Sequence, residues 1–135
     1  MANTKGNTFQ NAALNWFKGT TYPATQANTW CALFTVAPTN AGGGTEASGT
    51  GYARVAVPQA SWGALSGNSP VTMSNSAVID FGVAGGSWGT IVAFGQFDAV
   101  TTGNLLYWAN LSVSQAVANG NDVQFAIGAL SLTED

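Results

Sequence analysis

Apolar residues recur at helical spacing near the start of the chain. Within residues 7–19 (NTFQNAALNWFKG) the apolar positions at i, i+4, i+7 and i+8 are Phe9, Ala13, Trp16 and Phe17. Asn7 or Thr8 would cap such a helix and Gly19 would end it. The pattern therefore predicts a short amphipathic helix, whose apolar face packs either on its own domain or on a neighbouring subunit.

After Pro23 the pattern changes to short strands separated by turns rich in Gly, Asn, Ser and Pro. The predicted strands are residues 28–37, 51–57, 77–83, 90–97, 104–113 and 122–133. Strands at this spacing indicate an all-β fold, an antiparallel β-sandwich or jelly-roll-like barrel with one short N-terminal helix. We expect residues 1–27 to form an N-terminal arm and residues 28–135 to form the β-sandwich domain.

The alternation within single strands predicts which side chains face the core. In residues 77–83, Ile79, Phe81 and Val83 share one face, which leaves Asp80 on the solvent or partner face. In residues 51–57, Arg54 points away from the apolar positions, toward a carboxylate such as Glu46, Asp80 or Asp98. We favour a pair of Glu46 with Arg54 that pins the glycine-rich loop, with subunit docking as the alternative role of Arg54.

The chain is unusually poor in charge, which changes the expected surface. Only 7% of its 135 residues are Asp, Glu, Lys or Arg, and the net charge is −3; about 25% is the usual charged fraction. Neutral surfaces repel one another weakly, so we expect self-association into a homo-oligomer such as a trimer. With three basic residues and no long apolar segment, neither a nucleic acid nor a membrane is an expected partner.

Candidate catalytic motifs lack the groups that their chemistry needs. GGSWG at 85–89 fits the nucleophile elbow, but the chain has no histidine to act as its base. The G-x-G-x-x-A spacing at 42–47 is followed by a predicted strand, whereas the dinucleotide fingerprint requires a helix there. One cysteine, Cys31, and scattered carboxylates provide no metal-ligand set. We therefore predict no enzymatic activity, no catalytic residues, no metal and no cofactor.

The aromatic residues are the remaining candidates for recognition. Flat aromatic rings can stack on sugars, so the five tryptophans leave a glycan as a possible partner, although most should lie in the core or at interfaces. The residues that we select as a candidate interface are Phe9, Trp16, Phe17, Trp62 and Trp108.

Three segments in a fixed order carry a resemblance to a known family: GGGTEASGTGYARVAV, then WGTIVAFGQFDAVTTGNLLYWANL, and the closing GNDVQFAIGALSL. Together they resemble, over about residues 28–133, small virion proteins of tailed bacteriophages labelled tail-fibre-like or structural. The resemblance implies a β-rich structural subunit used in many copies. It offers no catalytic residues.

From the short arm and the absence of a fibrous repeat we predict a capsid decoration (cement) protein that attaches to the major capsid protein. The alternative is a tail or tail-fibre component that contacts tail proteins and binds a host receptor or glycan. In either case the expected location is the virion, assembled in the host cytoplasm.

Overall fold

Antiparallel strands are the main secondary structure of this computed structural model, which describes residues 3–134. Helix α1 spans Asn7–Phe17, and a 3-10 turn spans Gln59–Ser61. The strands are β1 Asn3–Lys5, β2 Asn28–Val36, β3 Thr45–Glu46, β4 Val55–Pro58, β5 Val71–Ser74, β6 Ile79–Val83, β7 Gly89–Phe97, β8 Leu105–Val117, β9 Asp122–Phe125 and β10 Ser131–Glu134. The predicted all-β class with one short N-terminal helix is confirmed.

Six of these strands form the main sheet of the described residues, in the order β1-β8-β7-β2-β3, with β4 also paired to β2. The remaining strands form two small antiparallel sheets, β5 with β10 and β6 with β9. Side chains of β6 and β10 share one apolar cluster with those of β2 and β7. The small sheets therefore cover one face of the main sheet, and the result is a sandwich.

The core lies between these two layers, and the central strands β2 and β7 are covered on both faces, since residues 31–34 and 93–96 are continuous buried runs. Leu33 and Phe94 of the main sheet and Ile79 of the opposite layer are each at most 3% exposed. Trp88 is also buried, and its indole Nε1 donates to Thr50 O at 2.9 Å. Each such side chain contributes about 1.5–3 kcal/mol to stability through burial.

A second, smaller cluster lies on the other face of the main sheet. It consists of Ala32, Phe34 and Ala93, against which Phe97 packs. The Phe34 and Phe97 rings stack with their centroids 6.1 Å apart. Loops, not a second sheet, border this face, and they carry the predicted Arg54 site described below.

The bounds of three predicted strands need correction, and one of them is the strand at 104–113, which is observed as Leu105–Val117. Residues 51–54 are not part of a strand, and only Val55–Pro58 pairs with β2. Gly49 and Gly51 have positive φ, and Tyr52 N donates back to Gly49 O at 3.1 Å, which closes a turn over residues 49–52. The predicted strand at 122–133 is two strands, β9 and β10, which belong to different sheets. The strands β1, β3 and β5 were not predicted, and all are four residues or shorter.

A β-bulge also overturns one predicted face. The register of β6 shifts between Asp80 and Gly82, where Gly82 has a φ of 79°. As a result Val83 is 63% exposed and does not share the buried face of Ile79 and Phe81. Asp80 is exposed as predicted, and its Oδ1 accepts a hydrogen bond from Gly82 N at 2.7 Å. The carboxylate thus stabilises the bulge.

The predicted helix is present but is capped differently. Its N-cap is Gly6, not Asn7 or Thr8, and no side chain caps it. It ends at Phe17, and Gly19 follows with a φ of 85°, the left-handed geometry that commonly stops a helix. Within residues 3–134 no helix has the length and apolar character needed to cross a membrane.

Candidate functional site

Arg54 lies at the centre of a hydrogen-bonded cluster beside the second apolar cluster. Its Nε and Nη2 donate to the two carboxylate oxygens of Glu46 at 2.9 and 2.8 Å. Its Nη1 donates to the carbonyls of Ala99 and Thr102 at 2.9 and 2.8 Å. The guanidinium carbon lies 3.7 Å from the centroid of the Phe97 ring. One side chain therefore connects the glycine-rich loop to the 98–104 loop.

The structure places Glu46 next to Arg54, as an ion pair whose Arg54 side chain is only 8% exposed. The two other carboxylates considered in the sequence have different partners. Asp98 accepts hydrogen bonds from Asn104 N and Asn104 Nδ2, both at 2.7 Å, and so closes its own loop. Asp80 stabilises the bulge in β6. Arg54 nevertheless contacts the Asp98 loop through that loop's backbone carbonyls.

Tyr52 extends this cluster into the main core. Its hydroxyl donates to Glu46 Oε1 at 3.0 Å and accepts from Leu33 N at 3.0 Å. Its ring packs edge-on against Trp88, with centroids 5.4 Å apart. Burial, the largest cause, raises the pKa of Tyr52 above its ordinary value of 10, and the neighbouring Glu46 carboxylate acts in the same direction. The phenol therefore stays protonated and available as a donor.

The aromatic residues of the candidate interface lie in different environments. Phe9 is half-buried, between Tyr22 and Tyr107, with ring centroids 6.4 and 5.7 Å away. Trp62 is half-buried against the main core. Trp108 is also half-buried, and its Nε1 donates to Asn40 Oδ1 at 3.1 Å. These three residues contribute to packing within the chain, whatever else they do.

The second half of α1 is the exposed part of that interface. Leu14, Trp16 and Phe17 are 68%, 59% and 81% exposed. The Trp16 and Phe17 rings contact each other edge to face, with centroids 5.3 Å apart. Among the described residues no other part of the chain covers these side chains. An apolar helix face of this kind is typical of a contact with a partner.

A cavity of about 430 Å³ lies beneath the first half of α1. Its lining combines the rings of Phe9, Tyr22, Trp62 and Tyr107 with Gln96, a residue that is 1% exposed. The segment 22–26 forms part of the same lining and has no secondary structure. Sequence patterning did not single out Gln96. The sequence feature that could have identified Gln96 is its position two residues after Phe94, on the apolar face of β7.

Cys31, Ser87 and the glycine motif at 42–47 have positions that packing and turn geometry explain. Burial raises the pKa of the Cys31 thiol well above its ordinary value. Ser87 Oγ accepts a hydrogen bond from Gly89 N at 3.2 Å, within a turn. Gly44 has a φ of 75°, and a Cβ there would lie 2.5 Å from Val36 O. No group of three or more potential metal ligands occurs in the part of the chain that the structure describes.

The antiparallel sandwich, its sparsely charged surface and its exposed helix face are together typical of a β-rich assembly subunit. Over residues 4–133 the sequence matches the family model described as podophage GP4 fiber I protein gp80. The chain belongs to this family of bacteriophage structural proteins, and the family suggests a non-enzymatic role in the virion. The match also includes most of the segment 1–27, which the resemblance in sequence had left outside. No protein with a curated description matches the chain.

Proposed function

We propose that this chain is a self-associating subunit of a tail fibre. The observation that carries the proposal is the match over residues 4–133 to a family described by a podophage fibre protein. Because the family is described by a fibre protein, we assign this chain to the fibre of the particle. Capsid decoration, the first expectation from the sequence, becomes the competing outcome of the experiment.

The second half of α1 supports self-association. Phe17 is the most exposed large apolar side chain of the described residues, and Trp16 lies against it. The burial of apolar area here would stabilise an oligomer by about 25 cal/mol per Å², reduced by the free energy lost in immobilising the subunits. Since the chain carries a net charge of only −3, electrostatic repulsion between copies opposes this contact weakly.

Electron cryo-microscopy of intact particles tests the location directly. We expect the density of this chain at the tail, in more than one copy for each fibre. Regular density over the head would overturn the proposal in favour of capsid decoration. An antibody raised against the purified protein gives an independent check, because tail labelling and head labelling are easily distinguished in negative stain.

A further inference from the structure

One residue that lines the cavity beneath α1 has a polar group that the described residues leave unsatisfied. Gln96 Oε1 accepts a hydrogen bond from Thr29 Oγ1 at 3.1 Å, but Gln96 Nε2 has no hydrogen-bond partner among the described residues. The neighbouring Cys31 thiol, paired with Gln96 across β2 and β7, lies in side-chain contact with the amide, but sulfur is only a weak acceptor for its N–H. If the amide were flipped, its oxygen would have only the weak S–H donor of Cys31 beside it. Buried polar groups are otherwise almost always satisfied in native proteins.

The rest of the cavity restricts what can satisfy this amide. Its volume of about 430 Å³ is within the usual range for small-ligand sites. Tyr22 and Tyr107 flank Phe9 at one wall, and Trp62 adds a further ring to the lining. A ligand must therefore bring a hydrogen-bond acceptor to Gln96 and present apolar or C–H surface to aromatic rings.

We propose that this cavity binds a sugar residue that carries an N-acyl group. The acyl carbonyl oxygen accepts a hydrogen bond from Gln96 Nε2, the acyl methyl contacts the apolar lining, and the C–H face of the sugar ring packs against the aromatic wall. The inference rests on the proposed function in one respect, because a fibre is the part of a virion that meets glycans on the host surface.

The border of the cavity is compatible with ligand exchange. Tyr22 is 44% exposed, and residues 22–26 cross the cavity without secondary structure. This segment is joined to the sandwich by Gln59, whose Nε2 donates to Gln26 O and whose backbone N donates to Ala27 O at 3.1 Å. The Gln96 amide must turn toward the cavity to reach the ligand. This turn exchanges the hydrogen bond that Oε1 accepts from Thr29 Oγ1 for one from Nε2 to the ligand.

Titration of the purified full chain with free sugars tests the proposal. The probes are N-acetylglucosamine, N-acetylgalactosamine and N-acetylmannosamine, each compared with the parent hexose that lacks the acetamido group. We expect at least one N-acetyl sugar to bind at millimolar concentration, about tenfold more tightly than its parent hexose. Failure of all three to bind, or equal binding of the parent hexose, would overturn the proposal.

A substitution at Gln96 separates ligand binding from folding. Gln96→Leu removes the unsatisfied Nε2 together with the acceptor of Thr29 Oγ1, and the half-buried Thr29 hydroxyl can bond to water instead. We therefore expect a melting temperature changed by at most a few degrees and about tenfold weaker binding of the N-acetyl sugar. Gln124→Leu is the matched control, because Gln124 is exposed on β9 and does not line the cavity. Gln96→Leu protein that is folded and binds as well as wild type would refute the role of the amide.

A measurement on the wild-type chain keeps the proposal testable if Gln96→Leu does not fold. In ¹⁵N-labelled protein the side-chain NH₂ signal of Gln96 should shift on addition of the bound N-acetyl sugar, whereas that of Gln124 should not. A Gln96 signal that stays unchanged while the sugar binds would contradict the proposed site. If the protein binds N-acetyl sugars but micrographs place it on the head, the fibre proposal fails and the binding site stands.

Discussion

Replacement of Arg54 by methionine should destabilise the fold considerably. Methionine keeps an aliphatic stem next to Phe97 but removes four hydrogen bonds, two to Glu46 and two to backbone carbonyls. Breaking a buried ion pair typically costs about 3–5 kcal/mol. Glu46 is 29% exposed and can regain water, as can the carbonyls of the exposed loop, so we take the lower end, about 3 kcal/mol.

The expected change in melting temperature follows from the size of the protein. At about 2.1 cal/mol/K per residue, a chain of 135 residues has an unfolding entropy of about 0.28 kcal/mol/K. A loss of about 3 kcal/mol then lowers the melting temperature by about 10 °C. Circular dichroism or calorimetry at neutral pH would measure it. Arg54→Lys keeps the charge but not the two-pronged geometry, so it should lose about half as much.

A small effect would refute this reasoning about Arg54. If Arg54→Met lowers the melting temperature by less than about 2 °C, the cluster adds little beyond an exposed ion pair. Glu46→Gln, alone and combined with Arg54→Met, supplies the double-mutant cycle that isolates the pair. An unchanged melting curve together with lost incorporation into particles would assign Arg54 to a subunit interface, the alternative role considered in the sequence.

Three further predictions concern other parts of the molecule. Asn75→Ala removes three hydrogen bonds from a residue that is 1% exposed, and should cost about 3 kcal/mol in urea unfolding. Cys31 should resist thiol reagents until the chain unfolds. Because folding raises the pKa of the Cys31 thiol, the free energy of unfolding should fall as the pH rises above about 9. The fall should be less steep in Cys31→Ala, and urea unfolding midpoints would measure both. Trp16→Ser with Phe17→Ser should change stability by at most about 0.5 kcal/mol but weaken self-association in sedimentation.

The parts of the fold that depend on local pattern could be predicted from the sequence. The central strands β2 and β7 were predicted within a residue of their observed ends, whereas β8, the longest strand, extends four residues past its predicted end at 113. The pair of Glu46 with Arg54 was also predicted, although the reasoning placed Arg54 on a strand. In the structure Arg54 directly precedes β4, and a turn brings it to Glu46.

Features that depend on distant residues could not be predicted in this way. Asn75 joins the end of β5 to the segment between β9 and β10 through its amide, across more than fifty positions of sequence. This segment, in which Gly128 has a φ of 79°, separates the two strands into which the predicted strand at 122–133 is divided. The cavity beneath α1 is also non-local, since its lining comes from α1, the segment 22–26, β7 and β8. The periodicity of a single segment does not indicate which distant segments lie next to one another.

The described residues divide into two groups that should respond differently to mutation. Around Arg54 and Asn75 the buried polar groups have good partners, which indicates that these residues hold loops in place. Around α1, Phe17 is exposed and Gln96 Nε2 has no hydrogen-bond partner among the described residues, and departures of this kind from the usual pattern concentrate at functional sites. Substitutions in the first group should therefore lower stability. Those in the second should impair assembly or ligand binding in a chain that remains folded.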